Sequence, residues 1–298
     1  MKNETRHALI LFLTAAIWGF AMAFQREGSM YLSPFTFNAC RFTLGAMAML
    51  PLMALDNRKS DSPLTQRDVF SGIALGAVLC LASLLQQMGV GDAGAGKAGF
   101  LTALYVVLVP VLGALLGRKT RLFTWLALVL AIPALYLLCV PKNEGFSLAP
   151  SDGLLLLGSV MWAAHILCTD HFVKSVRPLK LCAVQFFAGA AINWICAFAF
   201  ENVAPENIGK ALIPILYCGV MSTGVGYLCQ TVGQRGCRPA FAALILSLES
   251  VFCVVAGALM LGERMDSRGC IGCVLMLLAV ILAQTGDLLV PPKEENHV

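Results

Sequence analysis

Residues Leu244–Arg264 read LILSLESVFCVVAGALMLGER, an apolar run that contains one carboxylate, Glu249, and ends on a charged pair. An earlier stretch, Leu101–Lys119, reads LTALYVVLVPVLGALLGRK and follows the same plan. When the two are aligned, Leu104 falls on Glu249. The chain therefore contains a duplication whose two copies differ at polar positions.

The composition is that of a polytopic membrane protein. The 298 residues are 58% hydrophobic and 13% charged, and the mean hydropathy is +0.79. Soluble domains are about 45–50% apolar and about 25% charged. The net charge of +4 is spread over short gaps between apolar runs, which favours membrane topology over nucleic-acid binding as its explanation.

A helix needs about 20 mostly apolar residues to cross a bilayer, and ten segments of the chain meet this requirement. They are residues 8–25, 34–55, 69–89, 97–117, 121–140, 152–172, 179–200, 211–231, 239–261 and 268–289. The gaps between them are too short for another domain. The sequence therefore predicts an all-α fold of ten transmembrane helices.

The positive charges predict the orientation of these segments. Most of the 21 Lys and Arg residues fall before the first segment and in alternate gaps after it. Because loops rich in Lys and Arg stay on the cytoplasmic side, we expect both termini in the cytoplasm.

The duplication extends over the whole chain. Trp18 in the first segment falls on Trp162 in the sixth. Each copy has five segments, an odd number, so the second copy enters the membrane from the opposite side. The sequence thus predicts inverted repeats at residues 1–142 and 143–298, an arrangement of secondary transporters in which the substrate path lies between the halves near the midplane.

Several motifs resemble those of a known family. A Trp-Gly pair in the first segment, Arg41 in the second, KAGFLTALYVVLVPVLGALLG in the fourth and SLES with LMLGER in the ninth are similar to the EamA-like branch of the drug/metabolite transporter superfamily. The resemblance covers essentially the whole chain. It implies a ten-helix carrier, generally of the bacterial inner membrane, that often exports amino acids or other small metabolites.

Two positions depart from the family pattern. The first copy ends on Gly117-Arg118 where the family commonly has Gly-Glu. Ser250 follows Glu249 where the family often has Pro, which predicts a less kinked ninth segment.

Two charged residues lie inside predicted membrane segments, where charge is costly and tends to face a cavity or a partner. The Arg41 guanidinium can bind a carboxylate or phosphate bidentately, or it can tie to backbone carbonyls or to Glu249. Gln185 occupies its position in the second copy. Glu249 can carry a coupled proton, bind a substrate ammonium group, or only neutralise Arg41.

Other polar and aromatic residues within the segments are further site candidates. The main ones are Trp18, Gln87, Tyr105, Trp162, Tyr227 and Gln230, with Gln86, Asn38 and Asn193 as additional polar groups. A pocket for a small metabolite has apolar walls and a few placed hydrogen-bonding groups. The alternative is that these residues make interhelical hydrogen bonds.

Three further features have charged or titratable side chains: His165, Asp170, and the pair Glu263 and Arg264. His165 can relay a proton or make one structural hydrogen bond. Asp170 is expected to be solvated at the end of the sixth segment. Glu263 and Arg264 are predicted to form a loop lock or gate after the ninth.

The sequence contains no motif for enzymatic chemistry. We find no phosphate-binding glycine loop, no HExxH and no nucleophile elbow. Cys270 and Cys273 form a CxxC without a second pair or a nearby histidine, so packing is favoured over metal or redox work. We therefore expect no catalytic activity, no cofactor and no metal.

Together these features predict a secondary active transporter that moves a small metabolite, amino-acid-like or a related polar or amphipathic compound, by alternating access. Export is favoured, a proton is one candidate coupling ion, and the protein is expected to be a monomer or a homodimer. One alternative is an uncoupled facilitator or exchanger. Another is a membrane-embedded enzyme acting on lipid head groups, which would need a cluster of acidic residues or histidines at one membrane face.

Overall fold

The computed structural model describes residues 2–60, 63–93, 95–139, 149–261 and 267–289. The α-helices are α1 (Lys2–Ser29), α2 (Pro34–Ser60), α3 (Gln66–Ala93), α4 (Ala95–Ala103), α5 (Tyr105–Leu115), α6 (Leu122–Cys139), α7 (Pro150–Phe172), α8 (Pro178–Phe200), α9 (Pro205–Lys210), α10 (Leu212–Leu216), α11 (Tyr227–Gln234), α12 (Pro239–Leu246), α13 (Glu249–Leu261) and α14 (Ser267–Leu289). A π-helix, Tyr217–Gly226, joins α10 to α11. The all-α prediction is confirmed. The predicted gate residues Glu263 and Arg264 lie outside the described residues.

The helices match the ten predicted membrane segments. Among the described residues, eight helical stretches are long and apolar enough to cross a bilayer. Two apolar stretches are shorter, Leu122–Leu138 in α6 and Ser267–Ala283 in α14, and these two helices pack against each other. Phe70, Leu115 and Phe198 are 72%, 79% and 71% exposed. Such large exposed apolar surface suits contact with lipid rather than with water.

The two copies of the repeat fold alike. In the fourth segment α4 gives way to α5 at Leu104, and in the ninth α12 gives way to α13 just before Glu249, at the positions that the sequence aligns. Equivalent helices also pack against each other, α2 on α8 and α6 on α14. Helix α1 packs on α13 as α7 packs on α4 and α5. The duplication therefore organises the whole bundle.

The ninth segment is interrupted between α12 and α13, although Ser250 stands where the family often has Pro. That Ser250 makes this segment less kinked than in the family stays a prediction. The Leu248 N–H donates to Ile245 O at 3.1 Å, an i→i−3 bond that tightens the helix locally. The Ser247 hydroxyl donates to Leu244 O at 2.7 Å, and such bonding to a helix carbonyl often bends helices. Ser247 thus marks the interruption in the absence of a proline.

The π-helix in the eighth segment widens the backbone next to α2. The Thr223 hydroxyl donates to Cys218 O, five residues earlier, at 2.8 Å. A Cβ on Gly219 would lie 2.6 Å from the Leu44 Cβ, so only glycine allows this close packing. π-Helical turns occur frequently at functional sites, and this one carries Ser222 to the centre of the bundle.

Ion pairs join the two copies at the end of the bundle where α1 begins. Arg118 pairs with Asp170 at 2.6 Å, and Lys180 pairs with Asp68 at 3.2 Å. Lys174 also contacts Asp170, at 3.0 Å. Asp170 is therefore buried, with a side chain 7% exposed, and not solvated as predicted. Its two cationic partners offset the cost of that burial.

Close packing of α1 on α13 makes Gly19 a sensitive position. A Cβ there would lie 2.4 Å from the Phe252 Cβ and 2.6 Å from Glu249 O. We expect Gly19→Ala to lower the melting temperature of the purified protein, since overpacking costs about 1–3 kcal/mol. Gly99→Ala is the matched control, because its Cβ would meet nothing within 4 Å. Equal melting temperatures for the two variants would contradict the packing described.

Candidate functional site

A central cavity lies between the two copies of the repeat. It is lined by Trp18, Ala21, Met22 and Gln25 of α1, Arg41 of α2, Gln86 of α3, Thr102 of α4, Tyr105 of α5, Trp162 and Ile166 of α7, Ser222 of the π-helix, Tyr227 and Gln230 of α11 and Glu249 of α13. Its volume is about 30 Å³, enough for a water or two and too little for a metabolite. A metabolite therefore does not fit into the cavity as the structure has it.

Arg41 is a buried cation with unused hydrogen-bonding capacity. Its side chain is 2% exposed, and Nη1 donates to Gln25 Oε1 at 3.3 Å. The guanidinium lies 5.1 Å from the Phe42 ring centroid and 6.0 Å from that of Phe37. Among the described residues, Nε and Nη2 have no partner. These two nitrogens form one edge of the planar guanidinium group, and this edge can donate two parallel hydrogen bonds to one carboxylate.

Glu249 presents its carboxylate to the same cavity. It is 7% exposed and is the first residue of α13. The Tyr105 hydroxyl lies beside the carboxylate without meeting any described partner at good hydrogen-bond geometry. Within the described residues the partner of Arg41 is Gln25, and Arg41 does not pair with Glu249. A buried carboxylate without a cation is costly, so Glu249 is suited to hold a proton or a substrate cation.

Three aromatic rings form one wall of the cavity. The Trp18 and Tyr227 centroids lie 4.8 Å apart, and Trp162 stacks on Tyr227 at 6.3 Å and 20°. The Trp18 Nε1 donates to Ser222 O at 3.2 Å, whereas the Trp162 Nε1 has no partner among the described residues. Such a wall can bind the apolar part of a ligand and stabilise a cation over its faces.

The cavity gathers most of the predicted site residues. Those that line it are Trp18, Arg41, Tyr105, Trp162, Tyr227, Gln230 and Glu249. Gln87 does not line the cavity; its side-chain amide donates to Gln25 O at 3.1 Å. The neighbouring Gln86 lines the cavity instead. Asn193 does not line it either: its amide donates to Gly189 O on its own helix at 2.8 Å and to Cys80 Sγ on α3 at 3.1 Å, which is a structural contact between helices.

Sequence reasoning did not single out Gln25, the hydrogen-bond partner of Arg41. A signal was present, because Trp18, Met22 and Gln25 follow each other at spacings of four and three residues. These spacings place three side chains on one face of a helix. A polar residue that continues the face of a candidate tryptophan is therefore a candidate in its own right.

A wider, basic opening lies at the end of the bundle where α1 begins. Its volume is about 890 Å³, and it is lined from α5, α6, α7 and α12, with Arg118, Lys119, Arg121 and Arg238 among its residues. Val109, one helical turn beyond Tyr105 on α5, also lines it. We call this opening the basic vestibule; it comes within about one turn of the central cavity.

Comparison with known proteins matches this architecture. The model of the EamA-like transporter family matches residues 5–140 and 150–285, one match for each copy of the repeat. The chain belongs to the EamA-like transporter family. A crystal structure of a protein shares the fold with a TM-score of 0.78 at 18% identity, over 97% of this chain and 99% of the other.

The names of relatives of this EamA-like protein state no substrate. An uncharacterized transporter of Archaeoglobus fulgidus is 28% identical over 91% of this chain and 83% of its own length. An uncharacterized transporter of Clostridium kluyveri is 21% identical over 92% and 89%. A WAT1-related protein of Arabidopsis thaliana is 26% identical over 45% of this chain and 37% of its own length.

Trp18 and Trp162 occupy equivalent positions in the two copies of the repeat, so the same substitution at each can be compared in the EamA-like protein. Trp18→Phe removes the hydrogen bond from the indole Nε1 to Ser222 O, whereas Trp162→Phe removes no hydrogen bond among the described residues. We expect Trp18→Phe to cost about 1 kcal/mol more unfolding free energy than Trp162→Phe. Thermal melts of the two variants without ligand measure this difference. A larger loss from Trp162→Phe would contradict the assignment.

Proposed function

We propose that the protein exports zwitterionic, amino-acid-like metabolites with an apolar side chain across the bacterial inner membrane, in exchange for protons. The observation that supports this most is the pair of opposite charges in one cavity. Arg41 offers an unused guanidinium edge, and Glu249 offers a carboxylate that does not contact Arg41. A zwitterion carries the complement of both groups.

The proposed binding mode assigns one part of the substrate to each wall. The substrate carboxylate accepts hydrogen bonds from Arg41 Nε and Nη2, which supply two parallel charge-assisted bonds. The ammonium group binds the Glu249 carboxylate. The apolar side chain packs on the rings of Trp18, Trp162 and Tyr227. Because the cavity holds only about 30 Å³ in this conformation, binding requires the bundle to open.

Coupling follows from competition at Glu249. The carboxylate can hold a proton or the substrate ammonium group, but not both. Substrate binding therefore releases a proton when Glu249 is protonated, and affinity falls by about tenfold per pH unit as the pH drops below the range in which Glu249 titrates. Alternating access then moves substrate in one direction and protons in the other.

The proposed orientation places both termini and the basic vestibule in the cytoplasm. The excess of Lys and Arg at that end of the bundle supports it. Arg118, Lys119, Arg121 and Arg238 around the vestibule would also raise the local concentration of carboxylate-bearing substrates.

The test is thermal stabilisation of the purified protein by three matched ligands. Phenylalanine carries both charges, phenethylamine lacks the carboxylate, and 3-phenylpropanoate lacks the ammonium group. At 100 times its dissociation constant a ligand adds about 2.7 kcal/mol of stability, and we expect the amino acid to stabilise most at equal concentration. Equal stabilisation by phenethylamine would contradict a carboxylate contact with Arg41. Absence of stabilisation by any apolar amino acid would contradict the proposed substrate class.

A further inference from the structure

A second group of buried polar residues lies beside the aromatic wall of the cavity. It consists of His165 and Thr169 of α7, Cys182 and Gln185 of α8, and Thr231 and Gln234 of α11, none more than 1% exposed. We call it the inner polar cluster. The His165 ring lies 5.9 Å from the Trp162 ring and 5.8 Å from the Tyr227 ring. Because His165 does not line the cavity, these two rings stand between the cavity and the cluster.

Side-chain contacts join the three helices around the inner polar cluster. Between α7 and α8, His165 Nε2 lies 3.3 Å from Gln185 Oε1. Between α8 and α11, Cys182 Sγ lies 3.3 Å from Thr231 Oγ1. Between α11 and α7, the Gln234 amide donates to the backbone carbonyl of Ile166 at 3.1 Å. These contacts link α7, α8 and α11 to one another around the cluster.

The contacts within the inner polar cluster leave several polar atoms unused. Among the described residues, His165 Nδ1, Thr169 Oγ1, Gln185 Nε2 and Gln234 Oε1 have no hydrogen-bond partner. Buried polar groups in native proteins are nearly always satisfied by protein or by ordered water, and the cost of leaving them unpaired is several kcal/mol in an apolar medium. Interhelical bonding alone does not explain four unused atoms in one cluster.

The repeat relates this cluster to the central cavity. Gln185 falls on Arg41 and Thr169 falls on Gln25 when the copies are aligned. Arg41 and Gln25 line the cavity and bond to each other. In inverted-repeat carriers the two halves rock against each other around the substrate site. The residues equivalent to Arg41 and Gln25 are then placed to line the path when the bundle opens to the other side.

We propose that the inner polar cluster is the cytoplasmic half of the substrate path. It binds water in the conformation described here, and it forms neutral hydrogen bonds with the polar groups of the substrate when the bundle opens to the cytoplasm. This proposal rests on the proposed transport function. Helix α7 borders both the cluster and the basic vestibule, so movement of this helix can connect the two.

The difference between Arg41 and Gln185 gives the two halves of the path different roles. The charged half binds a carboxylate strongly, whereas the neutral half offers hydrogen bonds without a full charge. The substrate is therefore held at the centre and passes the cytoplasmic half without a second deep binding step.

Native cysteines provide the test, because one lies in the cluster and another lies outside it at the same depth. Cys182 is four residues after the start of α8, and Cys168 is four residues before the end of α7. Cys182 is 0% exposed. Cys168 is partly exposed but packs against the apolar group that includes Leu75. If the exposure in this structure alone decided reactivity, Cys168 would react faster. If the cluster is part of a hydrated path, Cys182 reacts faster.

The full-length protein is prepared in two kinds of membrane vesicle, inverted and right-side-out. Both are treated with a positively charged, membrane-impermeant methanethiosulfonate. Peptide mass spectrometry then measures the modification of each cysteine. We expect Cys182 to react roughly tenfold faster than Cys168 as the path opens transiently. We expect this reaction only in inverted vesicles. Faster reaction of Cys168, no reaction of Cys182, or reaction of Cys182 only in right-side-out vesicles overturns the proposal.

A pair of variants separates hydration from local unfolding. Gln185→Met removes a polar wall of the cluster with little change in side-chain volume, and we expect it to slow Cys182 modification roughly tenfold. Asn193→Leu on the same helix removes an amide bonded to Gly189 O and Cys80 Sγ, and we expect no such slowing. Equal rates in wild type and Gln185→Met would overturn the proposal. The assay contains no substrate, so its outcome is independent of ligand recognition at Arg41.

Discussion

Replacing Glu249 by Gln is expected to abolish export while leaving the protein folded and in the membrane. The carboxylate is the one group in the central cavity that we propose to alternate between a proton and the substrate ammonium group. Glutamine keeps the shape and loses both functions. Removing one partner of a buried charge contact costs about 2–5 kcal/mol, so we expect a fall of roughly 100-fold or more in export rate. The measurement compares extracellular metabolites of cells that express wild type or Glu249→Gln at equal membrane levels.

The matched control for this substitution is Glu206→Gln. Glu206 is an exposed carboxylate in α9, so the same chemical change there should leave export unchanged. A compound enriched outside cells with wild type and with Glu206→Gln, but not with Glu249→Gln, names the substrate class. Normal export by Glu249→Gln would contradict the assigned role of this residue.

Arg41→Lys is expected to weaken binding of a zwitterion although it keeps the positive charge. An ammonium group is a single point charge, whereas the Nε–Nη2 edge of Arg41 provides two donors in a fixed plane. The lysine has a single nitrogen, so the same ammonium group would have to serve both Gln25 and the substrate carboxylate. We expect the dissociation constant to rise about 10- to 100-fold, as for the loss of one or two charge-assisted hydrogen bonds. Ligand titration of the purified variant by thermal stabilisation measures this change.

Two variants frame the result for Arg41. Arg41→Gln introduces the residue that the second copy of the repeat has at the equivalent position, Gln185, so we expect it to fold and to lose carboxylate binding. Arg235→Lys changes an exposed arginine and should leave affinity unchanged. Wild-type affinity in Arg41→Lys would show that Arg41 acts as a plain positive charge or as a structural residue.

The sequence predicted Arg41 and Glu249 as site candidates because a charge within an apolar segment is costly wherever it lies. It did not predict whether they contact each other. That contact depends on the rotation of α2 and α13 about their axes, which is set by packing such as the approach of α1 to α13 at Gly19. In the structure Arg41 does not contact Glu249, and its guanidinium donates a hydrogen bond to Gln25 instead.

Neighbouring residues show the same limit. Gln86 and Gln87 differ by one position, which turns a side chain by about 100° around a helix of 3.6 residues per turn. Gln86 reaches the cavity, and Gln87 donates to Gln25 O. Residue type predicted a polar group at this level of α3, but helix rotation decided which of the two faces the cavity.

The tryptophans show what the repeat alone does not specify. Trp18 and Trp162 are equivalent in sequence, and both line the cavity. Only Trp18 finds a described partner, because the π-helix presents Ser222 O to it. Helix α3, which occupies the equivalent place in the first copy, is a regular α-helix. Aligned residues thus acquire different roles when the backbone of one copy departs from that of the other.

The most direct test of proton-coupled transport is uptake of a radiolabelled apolar amino acid by the purified protein in liposomes. The lumen is made more acidic than the medium, so that protons leaving the lumen drive substrate inward. We expect accumulation above the external concentration in wild type, and loss of that accumulation when a protonophore is added. Equilibration to the external concentration at the same rate with or without the pH gradient would instead identify an uncoupled facilitator and contradict the proposed exchange.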